Sequence, residues 1–168
     1  MDIEMNLLID LIRNPVFLAA GASWLVSQLS KILYETFRYG FRADRLTGGG
    51  GMPSSHSATV TGLIMGCVLS GRIRNPEFAL ALFLGVVVMY DAMGVRYETG
   101  QQARILNAMR ERDLAEGREP FFDKPLDEKI GHTLPEVIVG ILIGIGASAI
   151  MCLWAAPLID SALRAVGF

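Results

Sequence analysis

Val137 to Leu158 reads VIVGILIGIGASAIMCLWAAPL, 22 residues without a charged side chain. At about 1.5 Å of rise per residue, a helix of this length crosses the roughly 30 Å hydrocarbon core of a bilayer. Upstream, Phe78 to Val95 is nearly as apolar and is interrupted only by Asp91 near its end. Val16 to Tyr34 starts apolar and turns polar through Ser27, Gln28, Ser30 and Lys31. Ser57 to Gly71 is short for a span and is expected to be covered by its neighbours. The prediction is an all-α integral membrane bundle of about four transmembrane helices, forming one domain over residues 1–168. A soluble protein with buried core helices is disfavoured by the lengths of these runs and their near absence of charge.

Composition agrees. Hydrophobic residues make up 52% of the chain and charged residues 19%, more apolar than a soluble average. A net charge of −2 leaves no excess of Lys or Arg to neutralise phosphates along a duplex, which argues against a nucleic-acid partner. Cys67 and Cys152 lie inside apolar segments and are expected as buried thiols. Met1 to Glu4 carry acid where a secretory signal would carry base.

Between the spans the chain is punctuated. Met1 to Asn14 predicts a short amphipathic helix with Leu7, Leu8, Leu11 and Ile12 on one face, and Pro15 opens the first span. Phe37 to Gly51 is a loop ending in four glycines, and the second helix starts at Pro53 to Ser55. Arg72 to Pro76 is a tight turn into the third helix. Tyr97 to Glu116 predicts a surface helix with Ile105, Leu106 and Met109 on one stripe. Glu116 to Gly131, broken by Gly117, Pro120 and Pro125, predicts an exposed connection. Small residues recur every four positions at Ala58, Gly62, Gly66 and Ser70, and again at Gly140 and Gly144. Close helix packing in lipid accounts for them.

The chain has two histidines, and each stands at the head of an apolar helix. His56 lies in Gly50-Gly51-Met52-Pro53-Ser54-Ser55-His56-Ser57-Ala58, and His132 in Gly131-His132-Thr133-Leu134-Pro135-Glu136-Val137. A helix start carries unpaired N–H groups and a positive dipole end, so it binds anions, and the Ser hydroxyls add donors. An ordinary Ser cap explains one Ser of Ser54 and Ser55, but not the second together with the glycine run and His56. Glu136, four residues after His132, is on the same helix face and can fix the imidazole tautomer, leaving the other nitrogen as a nucleophile. Thr133 to Glu136 is equally a capping box, so both roles stay open for Glu136. Lys31 sits in an apolar helix where an unpaired ammonium is costly, which predicts a functional partner. Arg38 lies two turns further along the same face. Arg96 ends the third span, with Asp91 one turn earlier as a carboxylate to orient Arg96 or Lys31. With four spans, Lys31, Arg38, His56, Arg96 and His132 all fall on one membrane face. No carboxylate cluster, Cys cluster or Walker motif indicates a metal site, and no cofactor is expected.

These residues resemble the type-2 phosphatidic acid phosphatase superfamily, whose motifs are K-x6-R-P, P-S-G-H and S-R-x5-H-x3-D. The chain is most similar to its divergent branch of small membrane proteins, with G-G-M-P-S-S-H-S-A at Gly50 to Ala58, D-A-x-G-V-R at Asp91 to Arg96 and G-H-x-P-x-E-V at Gly131 to Val137. Tyr39 stands where the parent motif has proline, Ser55 where it has glycine, and Glu136 where it has aspartate. The gap from Arg96 to His132 is far longer than in the parent family. Arg42 and Arg45 are alternatives to Arg38 in the first motif.

The resemblance implies a metal-independent membrane phosphatase, a hydrolase of a lipid phosphate or pyrophosphate monoester. His132 would form a phosphohistidine, Glu136 would orient it, and His56 would protonate the leaving oxygen. Lys31, Arg38, Ser54, Ser55 and Arg96 would hold the phosphate, with Asp91 in support. The implied partners are the lipid phosphate and membrane lipids. A homo-oligomer whose second copy completes the site stays open. Two other classes fit less well: a non-catalytic binder of anionic lipid, and a vanadate-dependent oxidant.

The expected location is a bacterial inner (plasma) membrane. Of the 15 Lys and Arg residues, only Arg13, Arg72, Arg74 and Arg164 fall on the side away from the motifs. The positive-inside bias therefore places the motif face in the cytoplasm and both termini outside. With Cys67 and Cys152 replaced, a single Cys at Ala115 labelled in intact cells by an impermeant maleimide would overturn that orientation.

Overall fold

The computed structural model describes residues 3–40 and 50–165, and among them it is helical with no strand. The helices are α1 (Ile3–Arg13), α2 (Pro15–Tyr39), α3 (Ser55–Leu69), α4 (Pro76–Met93), α5 (Val95–Ala115), α6 (Leu134–Ile150) and α7 (Ala156–Ala165). One π-helical turn, Met151–Ala155, joins α6 to α7. Three helical stretches are long and apolar enough to cross a membrane: Pro15–Arg38, Pro76–Ala115 and Leu134–Ala165. Ser55–Leu69 is shorter, and it is the helix that the others enclose. The protein is thus a helical membrane bundle with the short second helix at its centre.

Local chemistry sets most boundaries. Asn14 caps α2 by accepting from the Val16 and Phe17 N–H groups, and Pro15 takes the first turn, where its missing N–H loses no bond. Ser54 caps α3 and accepts from the Ser57 N–H at 3.3 Å. Pro76 and Pro135 open α4 and α6 in the same way. The π turn within the last apolar run ends two residues before Pro157, whose missing N–H leaves the Leu153 carbonyl of that turn without its usual donor.

Small residues bring α3 against α2 and α6. A Cβ on Gly66 would stand 2.9 Å from the Val16 Cα, and one on Gly144 would stand 2.7 Å from both the Ala58 oxygen and the Thr61 Cβ. The four-residue stripe is a packing surface, as its spacing predicts. Hydroxyls are buried along the same seam. Ser23 Oγ donates to the Ala19 carbonyl at 2.7 Å, Ser148 Oγ to the Gly144 carbonyl at 2.6 Å, and the two hydroxyls lie 3.3 Å apart. Large apolar side chains instead point outward, among them Leu80, Phe83, Val87, Leu142 and Trp154. This inside-small, outside-large pattern suits a bundle whose surroundings are lipid chains.

α5 is the surface helix expected, and the connection after it is exposed as expected. On α5, Ile105, Leu106 and Met109 face outward, and the packed face is Gly100, Ala103 and Asn107. The connection after α5 does expose most of its side chains, but its main chain is bonded along that packed face. Residues 122–132 therefore form a strap. α1 forms as expected, with Leu7, Leu8, Leu11 and Ile12 exposed.

Candidate active site

The two histidine motifs are joined through their main chains. The Ser54 N–H donates to the Glu136 carbonyl at 3.1 Å, which ties the start of α3 to the first turn of α6. The His132 N–H donates to the Ala92 carbonyl at 2.9 Å, which ties the start of α6 to the end of α4. Gly131, at φ +81°, lies against the Arg96–Tyr97 backbone at the start of α5, where any Cβ would collide.

His132 is 2% exposed. Its Nδ1 lies 3.3 Å from Glu136 Oε2, and the same oxygen accepts from the Thr133 N–H at 3.0 Å. The two roles left open for Glu136 are therefore compatible: one carboxylate oxygen both reaches back to the helix cap and holds the imidazole. With Nδ1 protonated and donating to Glu136, the lone pair resides on Nε2. That Nε2 is buried and has no hydrogen-bond partner.

The His56 ring centre lies 5.7 Å from that of His132, tilted by 60°. Its Nδ1 is likewise buried without a partner. Buried polar atoms are nearly always bonded. Two orphan nitrogens on adjacent imidazoles are what a site built for a polar ligand would present.

Charged groups from three other helices act on this pair. His56 interacts electrostatically with His132, Arg96, Lys31 and Asp91. Lys31, 5% exposed, interacts electrostatically with Glu35 and Glu136. Arg96 Nε donates to Asp91 Oδ2 at 2.6 Å, which makes Arg96 the partner that Asp91 orients.

The remaining candidates divide. Ser54 is fully buried, and its hydroxyl is engaged with the Ser57 N–H and the Ser57 hydroxyl, the latter at 3.0 Å. Ser55 is half-buried beside His56. Arg38 is exposed at the end of α2 and donates to the Tyr34 hydroxyl. Its alternatives Arg42 and Arg45 lie outside the described residues, as do Gly48 and Gly49.

Two hollows flank the histidines. A cavity of about 390 Å³ is lined by Glu35, Gly51, Tyr97, Arg104, Thr133 and Glu136, among others. On the outer face, a groove of about 300 Å³ is lined by Trp24, Ser55, His56, Thr59, Val60 and Val88. Among the described residues, no group of three or more His, Cys, Asp or Glu side chains could hold a metal ion. Sequence reasoning missed Glu35, although its place four residues after Lys31 puts the two on one helix face.

Fold and site together define a helical membrane protein with a paired-histidine centre at one end of its bundle. A family model described as "Divergent PAP2 family" matches residues 12–147, and the chain belongs to that family. It is also 33% identical over 147 residues to an uncharacterized membrane protein, YuiD, of Bacillus subtilis (strain 168), covering 81% of this chain and 92% of that protein. No solved structure matches the chain.

Proposed function

We propose that the protein is a phosphatase of membrane lipid phosphates or pyrophosphates, working through a phosphohistidine on His132. The observation that carries this reading is the His132 imidazole, held at Nδ1 by Glu136 with its buried Nε2 unpartnered beside the equally unpartnered His56 Nδ1.

In the first step the His132 Nε2 lone pair forms a bond to phosphorus while the phosphorus–oxygen bond to the lipid breaks. His56, protonated, gives its proton to the departing oxygen. In the second step His56 takes a proton from water, the hydroxide oxygen bonds to phosphorus, and the P–N bond breaks to release phosphate. Lys31 and Arg96 supply positive charge where the phosphoryl oxygens gain negative charge, and Glu136 stabilises the imidazolium form of His132. The scheme uses no metal.

A lipid substrate is supported by the groove beside His56. Its Trp24, Val60 and Val88 side chains suit an apolar chain, and the general acid lies in the same lining, so the leaving oxygen would be the one attached to that chain.

One observation favours a second reading. The near-complete burial of His132, with Ser54 already engaged in the helix cap, suits a protein that holds an anionic lipid without turning it over.

Phosphate release from a panel of lipid phosphates by detergent-purified protein separates the two. The phosphatase releases phosphate, is inhibited by vanadate, which mimics the trigonal-bipyramidal transition state, and is indifferent to EDTA. Lipid binding without phosphate release would establish the binder. Activity lost on chelation and restored by magnesium would refute the metal-free scheme.

A further inference from the structure

The strap runs antiparallel to α5 and is fastened to it at successive points. Arg110 donates from Nε to the Phe122 carbonyl at 3.1 Å and from a terminal nitrogen to the Asp123 carbonyl at 2.6 Å. One turn earlier, Asn107 is 6% exposed and makes three hydrogen bonds. Its Oδ1 accepts from the Leu126 N–H at 2.8 Å, and its Nδ2 donates to the Leu126 carbonyl at 2.9 Å and to Glu128 Oε1 at 2.8 Å. Arg104 reaches the other oxygen of Glu128 at 3.6 Å. Two turns before Asn107, a Cβ on Gly100 would lie 2.7 Å from the Ile130 carbonyl and 2.9 Å from that of Glu128. The next fastening is the His132 N–H on the Ala92 carbonyl.

We infer that Asn107 is a positioning residue for His132: from the packed face of α5 it fixes the strap whose last residue is the nucleophile. The amide is suited to this task. It satisfies both main-chain groups of Leu126, as a neighbouring strand would, and uses its second donor to hold Glu128. Without it, two main-chain groups and a carboxylate lose a partner in a half-buried seam. Apart from the Arg104–Glu128 contact, the strap would then be tied at Asp123 by Arg110 and at His132 by Ala92, with eight residues between these anchors. A nucleophile displaced by about 1 Å loses on the order of a hundredfold in rate. The assignment rests on reading His132 as the nucleophile, but the clamp itself can be read without turnover.

The test is Asn107→Asp in the full chain in detergent. It keeps the shape and the acceptor for Leu126, removes both donated bonds, and sets a carboxylate against Glu128. Because the chain has two histidines, the ¹⁵N spectrum of labelled imidazoles holds two sets of signals, assigned with His56→Gln. In Asn107→Asp the His132 signals should shift or broaden while those of His56 move less. Adding Glu128→Gln, which returns a donor facing Asp, should recover part of the difference. Turnover should fall about tenfold to a hundredfold in kcat with KM little changed, again partly recovered in the double variant.

His132 signals identical to wild type in folded Asn107→Asp, or an unchanged kcat, would overturn the clamp. If the wild type releases no phosphate from any lipid, the phosphatase reading falls and the imidazole spectra alone decide the clamp. Should Asn107→Asp fail to fold, Asn107→Gln carries the same test, since it keeps the amide and moves it by one methylene away from its bonds to Leu126 and Glu128.

Discussion

The seam of α2, α3 and α6 and the seam between α5 and the strap each deliver one histidine, by opposite means. His56 rides on α3, whose glycines let its backbone touch its neighbours and whose N-terminus is bonded directly to α6. It is placed by contact between main chains with almost no side chain between them. His132 precedes α6 at the end of a strap whose main chain is held by long polar side chains, Asn107 and Arg110. The first arrangement is stiff because a change of one methyl has nowhere to go. The second is adjustable, since a few hydrogen bonds set the position of the strap.

The largest expected effect separates the roles of the two histidines. His132→Ala should lose on the order of a thousandfold or more in turnover on every substrate, since no neighbouring group replaces the nucleophile. His56→Ala should lose as much on lipid phosphates, whose alkoxide leaves poorly, and far less in the single-turnover burst of alcohol from activated aryl phosphates, which leave without a proton, while its later turnovers are limited by hydrolysis of the intermediate. Single-turnover assays of the two variants on both substrate types check this. Equal losses on both types in His56→Ala would remove the acid role from His56.

A smaller effect tests the bundle seam. Gly144→Val puts new atoms against the Ala58 oxygen and the Thr61 Cβ, an overpacking worth about 1–3 kcal/mol. The melting temperature in detergent should fall, and the imidazole signals of His56 should move along with those of His132. A variant that melts like wild type would show that α3 and α6 are not locked at this point.

The bundle seam was legible because membrane packing writes itself as a period. Ala58, Gly62, Gly66 and Ser70 recur every four residues, and an uncharged run as long as Val137 to Leu158 has one physical use. The two histidine motifs were legible too, since each holds several residue types that a plain helix start does not need. The α5–strap seam left no such trace. Asn107 meets Leu126 across 19 residues, its partners are mostly main-chain atoms present at every position, and no spacing encodes them. The apolar stripe of Ile105, Leu106 and Met109 lies on an exposed face, as a surface helix allows, and the packed face of α5 holds backbone rather than an apolar core, so no stripe marks it. Glu136 stayed ambiguous for a different reason: the same carboxylate oxygen serves the helix cap and the imidazole, so one residue type satisfies both patterns.

The central claim is that His132 carries the phosphoryl group. His56→Ala offers the most direct view of it. An activated aryl phosphate can load His132 without a general acid, whereas release to water still needs His56 as base, so the intermediate should accumulate. Purified His56→Ala protein, mixed with an aryl phosphate, quenched at neutral pH and digested, is examined by mass spectrometry for phosphorylated peptides. The account predicts an acid-labile phosphoryl group on the peptide containing His132, absent from His56→Ala/His132→Ala. Aryl alcohol released over many turnovers with no phosphorylated peptide, or a phosphoryl group on another residue, would contradict it.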